Sequence, residues 1–265
     1  MRPSRALGQN FVVDPNTLRK VVDLAEVEVG DRVVEVGAGA GSLTLALADA
    51  GASVVTIERD RHLLPVLEEV LGDRSDVRVV EADALTVGWD QVIPSPEDPA
   101  EPWKLVANLP YNVATPVVLR VLDEAPAIRS VVVMVQAEVG ERLAAGPGHA
   151  AYGSPSVKVA YHATARIVAR IGSDVFWPRP RVSSVLVRID RLARPAVEGD
   201  PGPMFALVRR AFGQRRKMLR RSLAEVVDRS AFAEAGVRPE ARPEELGVED
   251  WGRLAAAAAS APPLR

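Results

Sequence analysis

The chain has 265 residues, of which 33 are Lys or Arg and 35 are Asp or Glu, for a net charge of −2. With 48% hydrophobic residues and no cysteine, it can bury a core unaided, and disulfide frameworks, thiolate metal sites, iron–sulfur clusters and a Cys nucleophile are excluded. No apolar run approaches the roughly 20 residues of a membrane helix and no hydrophobic signal core follows Arg2 and Arg5; a soluble, cytoplasmic protein with no membrane partner is the expectation.

Asp14-Pro15 has the form of an N-cap and first helical residue, opening an amphipathic helix through Val22 and Leu24. From about residue 31, β-branched runs alternate with helical stretches, the pattern of a parallel α/β sheet. Strands are predicted at Arg32–Val36, Ser53–Ile57, Asp76–Val80, Lys104–Ala107 and Ser130–Val135, with a helix over Leu43–Ala48 stopped at Gly51. Thr115-Pro116 repeats the cap signature before Val117–Leu122. Residues 90–102 carry Pro94, Pro96, Pro99 and Pro102 and read as a surface insertion, because a strand resumes at once. Ala165–Ile171 and Val182–Ile189 read as an antiparallel pair closing the sheet. Pro195, Gly199, Pro201, Gly202 and Pro203 mark a linker over 191–203, and everything from Met204 is helical, the alanine run at 255–259 being a helix tail. Two domains follow, 1–192 and 203–265.

The first strand runs into Gly37-Ala38-Gly39-Ala40-Gly41. Glycines there allow a sharp turn and close approach of a ligand to the next helix, but the spacing is neither that of dinucleotide binders nor a P-loop. Taken alone, the turn is equally a structural one. The second strand ends at Glu58, a carboxylate that can accept both hydroxyls of a ribose; the third ends near Asp83 and the fourth at Asn108. All lie at carboxyl ends of parallel strands, where open α/β sheets bind ligands. Without a phosphate cradle, a nucleoside lacking phosphates is indicated, and S-adenosylmethionine fits. His62, His149 and His162 share no ligand spacing, so no metal is expected.

After the fourth strand, Asn108-Leu109-Pro110-Tyr111 resembles the strand-end motif of methyltransferases that modify amino groups of nucleic-acid bases. An exocyclic adenine amine is a poor nucleophile because its lone pair is delocalised. The Asn108 oxygen and the Leu109 or Pro110 carbonyl can accept its two N–H bonds and aim the lone pair at a sulfonium methyl, while Tyr111 offers a face for the extruded base.

More of the chain is similar to one family. Leu7–Val12, Glu35–Gly39, Asn108–Tyr111, Tyr152–Val157, Phe176–Val182 and Phe212–Lys217, in that order, resemble the ribosomal RNA adenine N6,N6-dimethyltransferases, in the bacterial housekeeping (KsgA-type) form related to the Erm methylases. The resemblance spans about residues 5–223. It implies an α/β, Rossmann-like S-adenosylmethionine-dependent sheet with a small C-terminal α-helical domain. It also implies dimethylation of N6 on two adjacent adenosines near the 3′ end of 16S rRNA, in a pre-30S subunit; a monomer is the separate expectation. By the same resemblance, Asn10 and Val12 contact the cofactor, with Gly37 and Gly39 at the glycine turn by its methionine end. Glu58 takes its ribose, Asp83 its adenine amine, and Asn108 borders both cofactor and target. Phe176 packs on the target base opposite Tyr111, its other reading being a core aromatic. Val12 stands where the family usually has Leu, Ala38 and Ala40 replace bulkier or Pro neighbours, and 90–102 matches poorly.

Arg209, Arg210, Arg215, Arg216, Lys217, Arg220 and Arg221 place seven cations in thirteen residues. Phe205, Val208, Phe212, Leu219 and Leu223 form the apolar stripe of what reads as a basic helix, suited to an RNA backbone, and Arg179 and Arg181 extend the track. The rivals are a macrolide-resistance-type methylase of large-subunit rRNA and an rRNA-binding assembly checkpoint with methylation secondary. Gly8 before Gln9-Asn10 and the Gln214–Lys217 segment favour the housekeeping form.

Overall fold

The computed structural model describes residues 8–93 and 102–260. The chain forms two compact units, the first made of residues up to 140 with 165–191, the second of 141–164 with 192 onward.

The elements in chain order are β1 (Phe11–Val12), α1 (Pro15–Leu24), β2 (Arg32–Val36), α2 (Ser42–Asp49), β3 (Ser53–Glu58), α3 (Leu64–Leu71), β4 (Val77–Glu81) and α4 (Trp89–Val92). There follow β5 (Trp103–Asn108), α5 (Ala114–Glu124), β6 (Ile128–Gln136), α6 (Ala137–Ala144), α7 (Ser154–His162), β7 (Ala163–Ile171), β8 (Phe176–Trp177) and β9 (Ser184–Arg191). The last four are α8 (Gly202–Phe212), α9 (Leu219–Ser222), α10 (Arg229–Glu234) and α11 (Val248–Ser260).

Seven strands form one sheet in the order β4-β3-β2-β5-β6-β9-β7. The pairs β2–β3, β3–β4, β2–β5 and β5–β6 are parallel, and β9 lies antiparallel to β6. Each predicted strand is present, because Val- and Ile-rich runs suit a sheet covered on both faces. Val33, Val54, Val106, Val132 and Leu186 are at most 2% exposed and meet in one core cluster. The chain proceeds β2, β3, β4 in one direction and then resumes at β5 on the other side of β2. That reversal makes the carboxyl ends of β2 and β5 the switch point, where a doubly wound sheet opens a crevice.

Asp14 caps α1 as expected, its carboxylate accepting from the backbone amides of Asn16 and Thr17. Thr115-Pro116 does not cap α5: the helix begins at Ala114 with Val113 at the N-cap and no side-chain cap. The expected proline-rich insertion falls largely on residues 94–101, outside the described residues; α4 covers the stretch just before it. Among the described residues no helix is long and apolar enough to cross a membrane.

The domain boundary differs from the expected one. Tyr152, Val157 and Tyr161 lie in one core with Met204, Val208, Leu219, Phe232 and Trp251, so the segment 141–164, between two sheet strands in sequence, belongs to the helical unit. Residues 191–203 are no free linker either. Ala196 N–H donates to the Tyr161 carbonyl at 2.9 Å, and Ala196 and Val197 pack on the same core. The Tyr152 hydroxyl donates to the Leu246 carbonyl at 2.9 Å, pinning the two stretches of the unit together.

Candidate active site

At the end of β2 the chain turns through Gly37, Gly39 and Gly41, with φ of +82°, +59° and +84°. These values exclude ordinary side chains, and a Cβ on Gly39 would also stand 2.8 Å from the Phe11 ring. The turn is held by Glu58 at the end of β3, whose side chain is only 6% exposed. Its Oε2 accepts from Gly39 N–H at 2.8 Å, and Oε1 accepts from Arg59 and Asp60 N–H at 2.9 and 2.8 Å. A carboxylate offers about four acceptor positions. Three are filled by backbone, so one remains, on Oε2.

Beneath the turn, Glu35 is 1% exposed. Its Oε2 accepts from the hydroxyls of Thr44 at 2.5 Å and Thr56 at 2.9 Å. Burial pushes its carboxyl up to about 7, the two hydroxyls opposing and the nearby Glu58 charge adding to the rise. Asp83, beyond β4, receives Leu85 N–H on Oδ1 at 2.9 Å and pairs through Oδ2 with Arg59 at 3.0 Å.

A cavity of about 310 Å³ opens at the switch point. It gathers Asn10, Gly37, Gly39, Glu58, Asp83, Asn108, Leu109, Pro110 and Tyr111 from five separate stretches of chain. Gly8, Gln9, Phe11 and Asn112 also line it; the first three fall in the Leu7–Val12 motif, whereas Asn112 carried no sequence signal. Two expected residues do not line it. Val12 is 4% exposed and borders a smaller space of about 30 Å³ that shares Phe11, Gly37, Gly39 and Asn108 with the cavity. Phe176 is 3% exposed and packs in the sheet core with Val12. The cause is register: β1 and β8 pair antiparallel with Val12 opposite Phe176 and Phe11 opposite Trp177, so alternation sends the first pair inward and the second outward. Phe176 is the core aromatic, and it does not face Tyr111 across the cavity.

The strand-end motif is locked from several sides. Asn108 Nδ2 donates to the Asn10 carbonyl at 2.8 Å, so the amide nitrogen is committed and Oδ1 remains an acceptor. The Pro110 carbonyl accepts from Val113 N–H at 3.1 Å, whereas no described residue donates to the Leu109 carbonyl. Of the two, the Leu109 carbonyl is the less occupied acceptor. The Tyr111 hydroxyl and the Ser184 Oγ share a hydrogen bond of 2.9 Å. Burial raises the phenol above its ordinary range, the Ser184 bond partly opposing, so the ring is a neutral plate. Ser184 carried no sequence signal, since β9 reaches Tyr111 only through the fold.

In the helical unit, the expected single basic helix is two. α8 ends at Phe212 and α9 starts at Leu219, with turns between. Val208, Leu219 and Leu223 are fully buried as the stripe requires. The cations divide. Arg210 pairs with Glu225, Arg215 with Glu244 at 3.4 Å and Arg220 with Glu240 at 3.8 Å, and Lys217 donates to Gln214 Oε1 at 2.8 Å. Arg209, Arg216 and Arg221 are exposed and have no acidic partner among the described residues.

The family model for ribosomal RNA adenine dimethylase matches residues 2–260. Curated relatives named ribosomal RNA small subunit methyltransferase A include one from Leifsonia xyli, 49% identical over 96% of this chain and 92% of its own length. Another, from Cutibacterium acnes, is 48% identical over 98% and 90%. Among solved structures, the 23S rRNA methyltransferase ErmE superposes with a TM-score of 0.70 at 28% identity, covering 94% of this chain and 100% of that one. A dimethyladenosine transferase from Plasmodium falciparum gives 0.72 at 21% identity over 92% and 95%, a likeness of fold. With this match along nearly its whole length and the Asn-Leu-Pro-Tyr motif seated at the switch point, the chain belongs to the ribosomal RNA adenine dimethylase family.

Proposed function

We propose that the chain dimethylates N6 of two adjacent adenosines near the 3′ end of small-subunit rRNA in the pre-30S particle, with S-adenosylmethionine as methyl donor. The observation that carries this reading is the Asn108 amide, anchored through Nδ2 to the Asn10 carbonyl and so left with an acceptor oxygen on the cavity that holds the glycine turn, Glu58 and Tyr111. The small-subunit assignment, as against large-subunit rRNA, follows the 45–49% identity to relatives named for the small subunit.

The residues present fit the donor. The positive-φ glycine turn is a cradle that side chains would fill, Glu58 retains one acceptor position, and Asn10, Asp83 and Asn108 complete the wall. When bound, S-adenosylmethionine supplies a methyl group made electrophilic by its sulfonium. The chain prepares the other reactant. Asn108 Oδ1 and the Leu109 carbonyl accept the two N–H bonds of the amine, which withdraws the nitrogen lone pair from the purine ring. Tyr111, its hydroxyl tied to Ser184, gives the extruded base an uncharged face. The proton leaves a nitrogen that has become cationic, so a strong base is not required.

Incubating the protein with labelled S-adenosylmethionine and unmethylated small or large subunits, then mapping modified bases, tests the reading. Dimethyladenosine is expected in small subunits alone; label in large subunits alone would overturn it. Asn108→Ala is expected to retain subunit binding while methyl transfer falls by about 10²–10³-fold, the usual cost of losing one acceptor or donor aimed at the transition state. Transfer at the wild-type rate would refute the role of Asn108.

A further inference from the structure

We propose that the indole of Trp177 is the platform on which the nucleotide next to the target base stacks. This rests on reading the cavity as the target pocket. The β1–β8 register that buries Val12 and Phe176 turns Phe11 and Trp177 outward as a cross-strand pair. Their ring centroids are 6.4 Å apart at an interplanar angle of 26°, a stacked arrangement. Phe11 lines the cavity, whereas Trp177 is 48% exposed. One aromatic surface therefore runs from the cavity wall into solvent.

Leaving half an indole in water costs free energy that folding does not recover, and the chain buries its other three tryptophans to 6% exposure or less. The occupant suggested by the chemistry is a base. When one base is drawn out of a single strand, its neighbour loses a stacking partner, and an aromatic plate beside the pocket restores that contact. Every base has a π-face, so such a plate positions the strand without reading its sequence. The charge nearby is of the matching sign. Arg179 is exposed, with its Nε donating to Ser173 Oγ at 3.0 Å, and Arg181 is exposed with no partner among the described residues. Asp174 is the acid nearest in sequence. Backbone phosphates on either side of a stacked base would meet the two guanidinium groups.

Trp177 supplies its own probe, because the other three indoles are shielded. Titrating the wild-type protein with an unstructured RNA hexamer containing two adjacent adenosines is expected to quench its tryptophan fluorescence saturably. Trp177→Ala is expected to lower kcat/KM for rRNA by about 5- to 150-fold, the range of one base–aromatic stack, mainly through KM. Its affinity for S-adenosylmethionine should stay at the wild-type value, and its melting temperature should fall by only a few degrees, the cost of the lost Phe11 stack. Trp177→Phe, which keeps an aromatic face, is expected to restore most of the lost kcat/KM. Absence of quenching, or a Trp177→Ala enzyme with wild-type kinetics, would overturn the platform. Saturable quenching in a wild-type protein that methylates no small-subunit adenosine would sink the rRNA reading and leave the platform standing.

Discussion

Replacing Glu58 by Gln separates two things that one carboxylate does. Its two oxygens hold three backbone N–H groups, at Gly39, Arg59 and Asp60. An amide has one acceptor oxygen, and the arrangement that loses least keeps it at Arg59 and Asp60. The amide nitrogen then faces Gly39 N–H, donor against donor. A buried donor without a partner costs about 1–3 kcal/mol. At ~2 kcal/mol the melting temperature of a unit of this size falls by about 4–8 °C. The remaining acceptor position on Oε2 is lost as well, and with it a charge-assisted bond to a ribose hydroxyl of about 1.5–3 kcal/mol, or roughly 10- to 150-fold in affinity. Differential scanning calorimetry and calorimetric titration of S-adenosylmethionine read the two losses separately. A Glu58→Gln protein that melts within about 1 °C of wild type yet binds the cofactor weakly would show that Glu58 serves the ligand alone, and the bracing of the glycine turn would be wrong.

Glu35 predicts a pH signature. Its carboxyl is raised from the ordinary 4.5 to about 7, so between those values the native state holds a proton that the unfolded chain has released. Its contribution is complete below pH 4.5 and is lost as pH rises to 7, by about 3 kcal/mol; the difference in urea-unfolding free energy between wild type and Glu35→Gln should change by that amount across the window, and a flat difference would contradict it. For RNA, substituting Arg209, Arg216 and Arg221 together with Gln should reduce the slope of log affinity against log salt by about 3, measured by anisotropy with an rRNA fragment. Arg210→Gln should change the slope less than Arg216→Gln, because Glu225 already offsets that charge.

The sheet was legible because its strands are rich in β-branched residues and the central ones are buried on both faces, and the site because its polar residues sit at the ends of those runs. Gly37, Glu58, Asp83 and Asn108 need no long-range information to be noticed. What the sequence concealed depends on contacts far apart in the chain or on parity. Tyr152–Val157 carries a clear motif, but nothing local says that it packs against Met204 and Trp251. Ser184 meets Tyr111 only because β9 pairs with β6. Phe176 and Trp177 are adjacent aromatics, and which of them faces out is decided by a two-residue ribbon whose register exists only once β1 has found β8. The same limit applies to Glu58: its carboxylate is visible in the sequence, but the three amides that occupy it are set by the path of the turn.

The first segment of the described chain has a larger part in the site than ligand contact. Asn10 was expected to touch the cofactor, and it does line the cavity, yet its carbonyl also takes the Asn108 amide proton. If that carbonyl moved away, the Asn108 side chain would be free to rotate and could present nitrogen in place of oxygen to the target amine, donor against donor. The position of the carbonyl is in turn fixed locally. Asn10 Nδ2 donates to the Gly8 carbonyl at 3.2 Å, and Gln9 Nε2 reaches Asp60 at 2.8 Å, beside the amide that binds Glu58. Gly8 sits at φ +67°, where a Cβ would stand 2.9 Å from Asn112 Oδ1. The strap thus joins the loop after β3 to the loop after β5, and the orientation of the reacting acceptor is set by backbone geometry at both. A glycine at position 8 is required by that path, which accounts in physical terms for a Gly-Gln-Asn stretch about a hundred residues ahead of the amide it orients.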